Sequence, residues 1–319
     1  AMTSANAKTI CSGSNVNHAL TSNIPSSYSW VATANPNVTG ESTTAQSSAT
    51  ITDVLVNTTA TVQTVTYTVT PTSTAGSCAG SSQTVTITVN PAPSMTSAGT
   101  KTICSGSNVN HALTSNIPSS YSWVATANPN VTGESTTAQS SATITDVLVN
   151  TTATVQTVTY TVTPTSTVGT CTGSSQTVTI TVNPTPAMTS ANAKTICSGS
   201  NVNHALTSNI PSSYSWVATA NPNVTGESTT AQSSATITDV LVNTTATVQT
   251  VTYTVTPTST AGSCAGSSQT VTITVNPAPA MTSANAKTIC SGSNVNHALT
   301  SNIPSSYSWV ATANPNVTG

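Results

Sequence analysis

The chain has 319 residues, of which 3% are charged, and its formal net charge is −2. Ordinary globular proteins carry about 25% charged residues. Binding to nucleic acids or to anionic membranes requires clustered positive charge, so we expect no nucleic-acid partner. No apolar run approaches the ~20 residues that a membrane helix needs, so we also expect no membrane insertion.

One repeat accounts for the whole sequence. The stretch CSGSNVNHALTSNIPSSYSWVATANPNVTG begins at four cysteines spaced 93 residues apart: Cys11, Cys104, Cys197 and Cys290. We therefore divide the chain into repeat 1 (1–93), repeat 2 (94–186), repeat 3 (187–279) and a partial fourth repeat (280–319). Met2 recurs in every repeat and no leader precedes it, so we interpret it as a residue of the repeat. Gly319 falls 40 residues into a repeat, so we expect the sequence to be an excerpt from a longer array.

The first half of the repeat predicts three short strands. AKTIC supplies the first. NVNHAL places Val16, His18 and Leu20 on one face, and SYSWVATA places Tyr28 and Trp30 on one face. Alternation with a period of two is typical of a half-buried strand.

The second half predicts a turn and a hairpin. ATITDVLV contributes Ile51 and Leu55 on either side of a turn at Asp53. QTVTYTVTP and SQTVTITVNP alternate Val, Ile or Tyr with Thr, and the turn TSTAGSCAGSS joins them. With no helical period anywhere, the pattern predicts a tandem array of antiparallel β-sandwich domains of the immunoglobulin type.

The cysteines predict an oxidising, extracellular setting. Each complete repeat holds two cysteines, whereas it has one His and no CxxC motif, so we expect no metal and no cofactor. We expect one disulfide inside each repeat, which would stabilise it by about 3–5 kcal/mol. The expected pairs are Cys11–Cys78, Cys104–Cys171 and Cys197–Cys264, with the partner of Cys290 beyond the sequence.

Repeat 2 differs from repeats 1 and 3, which are identical to each other. The differences lie at seven positions: Ser94, Gly99, Thr100, Val168, Thr170, Thr172 and Thr185. They fall in the linker, at the entry to the first strand and in the turn around Cys171. We hypothesise that variation is concentrated at the joint between repeats, whereas the lateral faces stay constant.

These motifs, in this order, resemble the PKD-like, immunoglobulin-like repeats of very large surface proteins in gliding and biofilm-forming bacteria. The resemblance rests on the CSG start, the VTYTV strand and the VNP exit, and it covers every repeat. It implies a secreted, non-enzymatic array of β-sandwiches of the kind used in adhesins or extracellular fibres.

Few residues are candidates for chemistry. We interpret His18 and Trp30 as core residues rather than as a ligand and a sugar-binding platform, and we place Asp53 and Glu41 in turns. Two acids per repeat are too few for a calcium site, and no nucleophile, base and acid form a recognisable motif, so we expect no enzyme activity.

One covalent alternative stays open. Lys8 on the first strand and Asn90 at the end of the last strand, with Glu41 or Asp53 as proton shuttle, resemble the set that forms an intramolecular isopeptide bond in some bacterial surface domains. Asn37 and Asn57 stand in glycan acceptor patterns.

The composition and the linkers predict a mechanical role. Two prolines in each linker favour a stiff connection, and low charge favours self-association into fibres or bundles. We therefore predict a structural subunit of an extracellular bacterial filament or matrix fibre. The alternatives are the stalk of a giant cell-surface adhesin and a carbohydrate-binding array, although nothing specific in the sequence supports a glycan ligand.

Overall fold

The computed structural model describes residues 1–319 and contains thirty β-strands and no helix. The chain divides into two compact units, Ala1–Asn183 and Pro184–Gly319. Unit 1 contains repeats 1 and 2 up to Asn183, and unit 2 contains repeat 3 and the partial fourth repeat. The predicted all-β class of tandem immunoglobulin-like domains is confirmed.

Unit 1 contains twenty strands. The strands of repeat 1 are β1 (Ala7–Cys11), β2 (Ser14–Asn15), β3 (His18–Ala19), β4 (Ser26–Ala32), β5 (Val38–Thr39), β6 (Gln46–Ser47), β7 (Thr50–Ile51), β8 (Val54–Asn57), β9 (Gln63–Ser73) and β10 (Gln83–Asn90). The strands of repeat 2 are β11 (Thr100–Cys104), β12 (Ser107–Asn108), β13 (His111–Ala112), β14 (Ser119–Ala125), β15 (Val131–Thr132), β16 (Gln139–Ser140), β17 (Thr143–Ile144), β18 (Val147–Asn150), β19 (Gln156–Ser166) and β20 (Gln176–Asn183).

Unit 2 contains ten strands, all in repeat 3. They are β21 (Ala193–Cys197), β22 (Ser200–Asn201), β23 (His204–Ala205), β24 (Ser212–Ala218), β25 (Val224–Thr225), β26 (Gln232–Ser233), β27 (Thr236–Ile237), β28 (Val240–Asn243), β29 (Gln249–Ser259) and β30 (Gln269–Asn276). Residues 280–319 form no strand. In a complete repeat the first strand and the Trp strand pair with the last two strands, and the partial repeat lacks those partners.

The same sheets recur in each complete repeat. In repeat 1 a five-stranded sheet has the order β1-β10-β9-β4-β6, a three-stranded sheet has the order β2-β8-β5, and β3 pairs with β7. The predicted hairpin is confirmed, because β9 and β10 pair antiparallel with Tyr67 opposite Val85. The core lies between the sheets, and it includes the inward residues of this hairpin, of which Val65, Tyr67 and Ile87 are fully buried.

Two details differ from the sequence prediction. Strand β1 pairs parallel with β10, so that Cys11 lies opposite Asn90. The predicted strand NVNHAL is divided into β2 and β3 at Asn17, whose φ is 38°, in the left-handed region that Asn tolerates. Val16 and His18 are nevertheless both buried on the expected face.

Candidate functional site: the joint between repeats 1 and 2

The few ionisable groups of the core hold strands together. Asp53, between β7 and β8, is 8% exposed and accepts hydrogen bonds from Tyr67 Oη (2.8 Å), Ser42 N (2.7 Å) and Ser42 Oγ (2.7 Å). Burial and the Asp53 carboxylate raise the pKa of Tyr67 far above its ordinary value. The arrangement returns in the other complete repeats, where Tyr160 donates to Asp146 and Tyr253 donates to Asp239. It keeps the three tyrosines in their protonated form.

Trp30 and His18 are core residues, as predicted. Trp30 is 3% exposed, and its ring meets that of Tyr67 edge-on at 5.7 Å between centroids. His18 is 7% exposed and donates from Nε2 to Ala5 O at 3.0 Å. In repeat 2, burial lowers the pKa of the corresponding His111. The Trp30 and His18 rings are enclosed in the core.

The isopeptide set is not brought together. Lys8 lies opposite Ile87 in the parallel pair, three residues before Asn90, which is about 10 Å along a strand. The Lys8 ammonium donates to Asn17 O at 2.9 Å, and Glu41 Oε1 accepts from a backbone N–H elsewhere. The isopeptide hypothesis is therefore wrong for this geometry.

The two glycan acceptor patterns differ in accessibility. Asn57 is 8% exposed, and its Nδ2 donates to Thr61 O (2.7 Å) and Val89 O (3.0 Å). This amide holds β8 against the end of the hairpin and has no free hydrogen for a sugar. Asn37, in contrast, is exposed.

The predicted disulfides inside the repeats are wrong. Cys11 of repeat 1 bonds to Cys171 of repeat 2, with a Cα–Cα distance of 5.5 Å. Cys78 and Cys197 are free and exposed, as is Cys290, whereas Cys104 and Cys264 are disulfide-bonded. The expected pairs Cys11–Cys78, Cys104–Cys171 and Cys197–Cys264 are thus all excluded.

The parallel pairing of β1 explains this result. Cys11 lies beside Asn90 at the carboxyl end of β10, whereas Cys78 lies in the turn before β10 begins. An eight-residue strand is about 23 Å long, and a disulfide requires Cα atoms within about 7 Å. The two cysteines of one repeat therefore lie at opposite ends of the domain. We call the end near Cys11 the trailing pole and the end near the hairpin turn the leading pole.

Glycines let the hairpin turn of repeat 2 lie directly on the trailing pole of repeat 1. A Cβ on Gly173 would lie 1.9 Å from Pro93 O, and a Cβ on Gly169 would lie 2.2 Å from Asn90 Nδ2. Gly169 also has a φ of 78°, which favours glycine. A side chain at position 173 would require the two repeats to move apart, whereas one at position 169 would have to displace the Asn90 side chain.

The joint also buries apolar surface. Ile117 of repeat 2 is 8% exposed, and it lines a groove with Pro91 and Val62 of repeat 1. Pro91 and Pro93 of the linker are buried. A disulfide, a close backbone contact and an apolar patch thus fix repeat 2 on repeat 1.

Three of the seven variable positions lie in the hairpin turn at this joint. Val168 lines the groove, and Thr170 and Thr172 flank Cys171. Ser94 and Thr185 lie in the linkers, whereas Thr100 pairs with Thr179 inside repeat 2, so the hypothesis of variation at the joint holds for the turn and the linkers but not for the entry to the first strand. The signal in the sequence that marks the joint is the turn itself, with a cysteine between two glycines.

No group of three or more His, Cys, Asp or Glu side chains is arranged to hold a metal ion. The structure contains no helix with the length and apolarity that a membrane crossing requires.

The sheets that recur in each complete repeat place this protein in a class, the tandem arrays of immunoglobulin-like β-sandwiches. The chain belongs to the family of the PKD-like domain, which matches residues 8–93, 101–186, 194–279 and 287–319. No curated protein matches the chain.

The chain is also similar to solved tandem domains. An I-band fragment of titin is 11% identical, covering 85% of this chain and 95% of that one, with a TM-score of 0.34. A fragment of mouse cadherin-23 is 10% identical over 86% of this chain and 96% of that one (TM-score 0.26). Chicken CNTN1 FN1–FN3 domains are 10% identical over 86% and 97% (TM-score 0.29). The PKD-like repeats and the disulfides indicate an extracellular structural or adhesion-related array.

Proposed function

We propose that this chain is a structural segment of an extracellular bacterial filament or matrix fibre built from rigid, disulfide-linked repeats. The observation that carries the proposal is the Cys11–Cys171 bond. A disulfide inside a domain stabilises only that domain, whereas this one gives two successive repeats a second covalent connection beside the linker. Two connections restrict bending and twisting at the joint, which a load-bearing element requires.

The outer surface supports the same proposal. The exposed or half-buried residues of β9 include Thr64, Thr66, Thr68 and Thr70, and only 3% of the chain is charged. Neutral Thr-covered faces can pack side by side without burying ions, and a net charge near zero weakens the repulsion between molecules. We infer that the array associates laterally and has no catalytic role.

A stalk that holds an adhesive domain away from the cell is the second candidate. The same joint supports it, because a spacer also needs resistance to bending. The burial of Trp30 argues against the carbohydrate-binding alternative, since a sugar platform requires an exposed ring face.

Electron microscopy of the oxidised, purified chain tests the proposal. We expect ordered lateral assemblies for the fibre. Soluble single particles with a fixed angle between repeats 1 and 2 would favour the stalk. Single particles in which this angle varies freely would contradict both candidates.

The double variant Cys11→Ser/Cys171→Ser is the matched control. It keeps both domains and the linker but removes the second connection. We expect a wider distribution of angles at the first joint and a loss of lateral order. An unchanged distribution would show that the bond does not stiffen the joint.

A further inference from the structure

We propose that an outward-facing pair of valines on β8, which recurs in every complete repeat, is a docking surface for a second copy of this chain. The inference rests on the proposed function and deepens it, because it assigns the lateral contact between arrays to one sheet. The surface consists of the exposed residues of the sheet β2-β8-β5, which are Asn15, Thr39, Val54 and Val56. We call it the valine face.

The valines of this face are exposed in every complete repeat. Val54 is 48% exposed and Val56 is 41% exposed, whereas Leu55 between them is 0% exposed. Repeats 2 and 3 present the same pair at 40% to 49% exposure: Val147, Val149, Val240 and Val242. Repeat 2 is preceded and followed by another repeat, and neither neighbour covers its valines. The exposure is therefore a property of the repeat itself.

The two valines lie in the middle of the face. Strand β8 pairs with β2 on one side, where Val54 lies opposite Asn15, and with β5 on the other, where Val56 lies opposite Thr39. Residues two apart on a strand share a face and are about 6.6 Å apart along it. Val54 and Val56 therefore form one apolar strip with a neutral polar residue on either side.

The fold does not require valine at these positions. The outward positions of β9 and β10 carry threonine instead, including Thr64, Thr66, Thr84 and Thr86. Both residue types suit a pleated sheet, and they have nearly the same shape. Threonine would offer water a hydroxyl, whereas valine leaves apolar surface in water, which is unfavourable. A contact that removes the strip from water accounts for this choice.

No ion opposes a contact between two valine faces. Strands β2, β5 and β8 contain no charged residue, and neither do their counterparts in repeats 2 and 3. The Lys8 ammonium donates to Asn17 O at 2.9 Å, and the half-buried Glu41 accepts from Asn35 N at 2.9 Å. Packing the face against another neutral face therefore desolvates no charge. A neutral, apolar partner surface is the matching one.

The size of the face selects a second copy as that partner. A stable interface takes about 800 Å² and 20–30 residues on each side, far more than the exposed residues of one such sheet. A partner must therefore contact the faces of successive repeats, and a second copy carries the same face with the same period. The Cys11–Cys171 bond fixes the faces of repeats 1 and 2 at one separation in both copies. Each contact then raises the effective concentration for the next.

Sedimentation equilibrium of the oxidised full chain tests the proposal, with the free thiols alkylated so that only non-covalent association is measured. The face variant replaces six valines: Val54→Thr, Val56→Thr, Val147→Thr, Val149→Thr, Val240→Thr and Val242→Thr. We expect the parent to self-associate and the face variant, with an unchanged sheet signal in circular dichroism, to have a dissociation constant at least tenfold higher. A monomeric parent, or equal constants, would overturn the proposal.

Two variants that add valine show whether the contact is specific to this face. Thr39→Val/Thr132→Val/Thr225→Val widens the apolar strip on β5 and its counterparts. Thr84→Val/Thr177→Val/Thr270→Val makes the same change at exposed positions of β10 and its counterparts, on the other sheet. We expect the first to lower the dissociation constant severalfold and the second to leave it unchanged. Equal effects would indicate unspecific hydrophobic association and contradict a defined face.

A lipid surface is the other occupant to be tested, with neutral phosphatidylcholine vesicles as the probe. We expect the parent to remain in solution when the vesicles are sedimented. Vesicle binding by the parent but not by the face variant, in a chain that does not self-associate, would assign the valines to lipid and overturn the proposal.

Electron microscopy separates this inference from the proposed function. Ordered lateral assemblies that persist in the face variant would show that the valine face is not the contact, and the fibre proposal would stand. Dimers that depend on the valines in a parent without ordered assemblies would support the face and contradict the fibre.

Discussion

Each complete repeat stabilises a buried carboxylate with hydrogen bonds from neutral donors. Asp53 receives two bonds from Ser42 and one from Tyr67, whose side chain is fully buried. A buried charge is costly unless its lone pairs are satisfied. The side chains therefore tie three parts of the domain to one point, and removing any donor leaves the charge undercompensated.

Replacing this tyrosine by phenylalanine in every complete repeat tests that dependence. The variant is Tyr67→Phe/Tyr160→Phe/Tyr253→Phe, and each repeat should lose about 1.5–3 kcal/mol, the range for a hydrogen bond to a charged group. Urea unfolding of the reduced chain measures the change.

The control is Tyr28→Phe/Tyr121→Phe/Tyr214→Phe. Each of these hydroxyls bonds to a neutral serine, Tyr28 to Ser22 at 2.9 Å, so the loss should be about 0.5–1.5 kcal/mol per repeat. Equal losses in the two variants would argue against a charged network.

The raised pKa of the core tyrosines predicts an alkaline transition. Burial and the adjacent Asp keep Tyr67, Tyr160 and Tyr253 protonated above pH 10, where an unfolded tyrosine ionises. The native state then binds more protons than the unfolded state. Their contribution to stability is complete below about pH 10 and is lost as the pH rises beyond it.

Absorbance at 295 nm and circular dichroism should reveal this coupling in one titration. We expect the core tyrosines to ionise only together with the loss of the sheet signal. Complete ionisation of all tyrosines near pH 10 with the sheet signal intact would contradict the network.

At the scale of elements, the alternation of apolar and polar residues in the sequence predicts most of the strands and their buried faces. The Thr alternation of β9 and β10 predicts both their pairing and their buried face, because period two leaves only one face apolar. The division of NVNHAL at Asn17 could not be predicted, since the alternation of Val16 and His18 continues through it. The direction of β1 relative to β10 could not be predicted from the sequence either, because five residues fit a parallel or an antiparallel partner equally well.

The direction of β1 determines which cysteines can bond to each other. Placing Cys11 at the carboxyl end of β10 turns a bond expected inside a repeat into one between repeats. The 93-residue period of the two cysteine series is compatible with either pairing, so only the direction of β1 distinguishes them. Gly169 and Gly173 lie in a turn that the sequence predicts, but their approach to another repeat depends on the direction of β1.

Gly173→Ala tests the close contact at the joint. Its Cβ would collide with the carbonyl of Pro93, whereas a Cβ on the equivalent Gly80 lies 3.1 Å from Pro71 Cγ and meets no linker. We expect Gly173→Ala to lower the fraction of molecules with a Cys11–Cys171 bond severalfold and Gly80→Ala to leave it unchanged.

Titration of free thiols measures that fraction in monomeric protein. The chain has three free cysteines when its disulfides are formed, Cys78, Cys197 and Cys290, and loss of the first bond adds two. If Gly173→Ala oxidises as completely as Gly80→Ala, the backbone contact is not required for the bond.

For the molecule as a whole, the bond between Cys11 and Cys171 changes how unit 1 extends under force. The two cysteines are 160 positions apart in sequence, and the chain between them is bypassed while the bond is intact. In single-molecule stretching with handles at Ala1 and directly after Asn183, the oxidised protein should therefore reach only a short maximum extension between the handles. Reduction of the bond should increase this maximum extension by about 550 Å, because it releases the chain between the two cysteines at ~3.3–3.6 Å per residue.

The Cys11→Ser/Cys171→Ser variant supplies the reference for that experiment. It should reach the longer length without a reductant and show no change when one is added. A length that is insensitive to reduction in the parent would contradict the bond between repeats.

The Cys11–Cys171 bond also affects how the chain resists proteolysis outside the cell. Hydrolysis of any one peptide bond between Cys11 and Cys171 leaves both fragments attached through sulfur. A protease can therefore cut an exposed loop between Cys11 and Cys171 without separating the two ends of unit 1. The fragments come apart only when a reductant also breaks the disulfide.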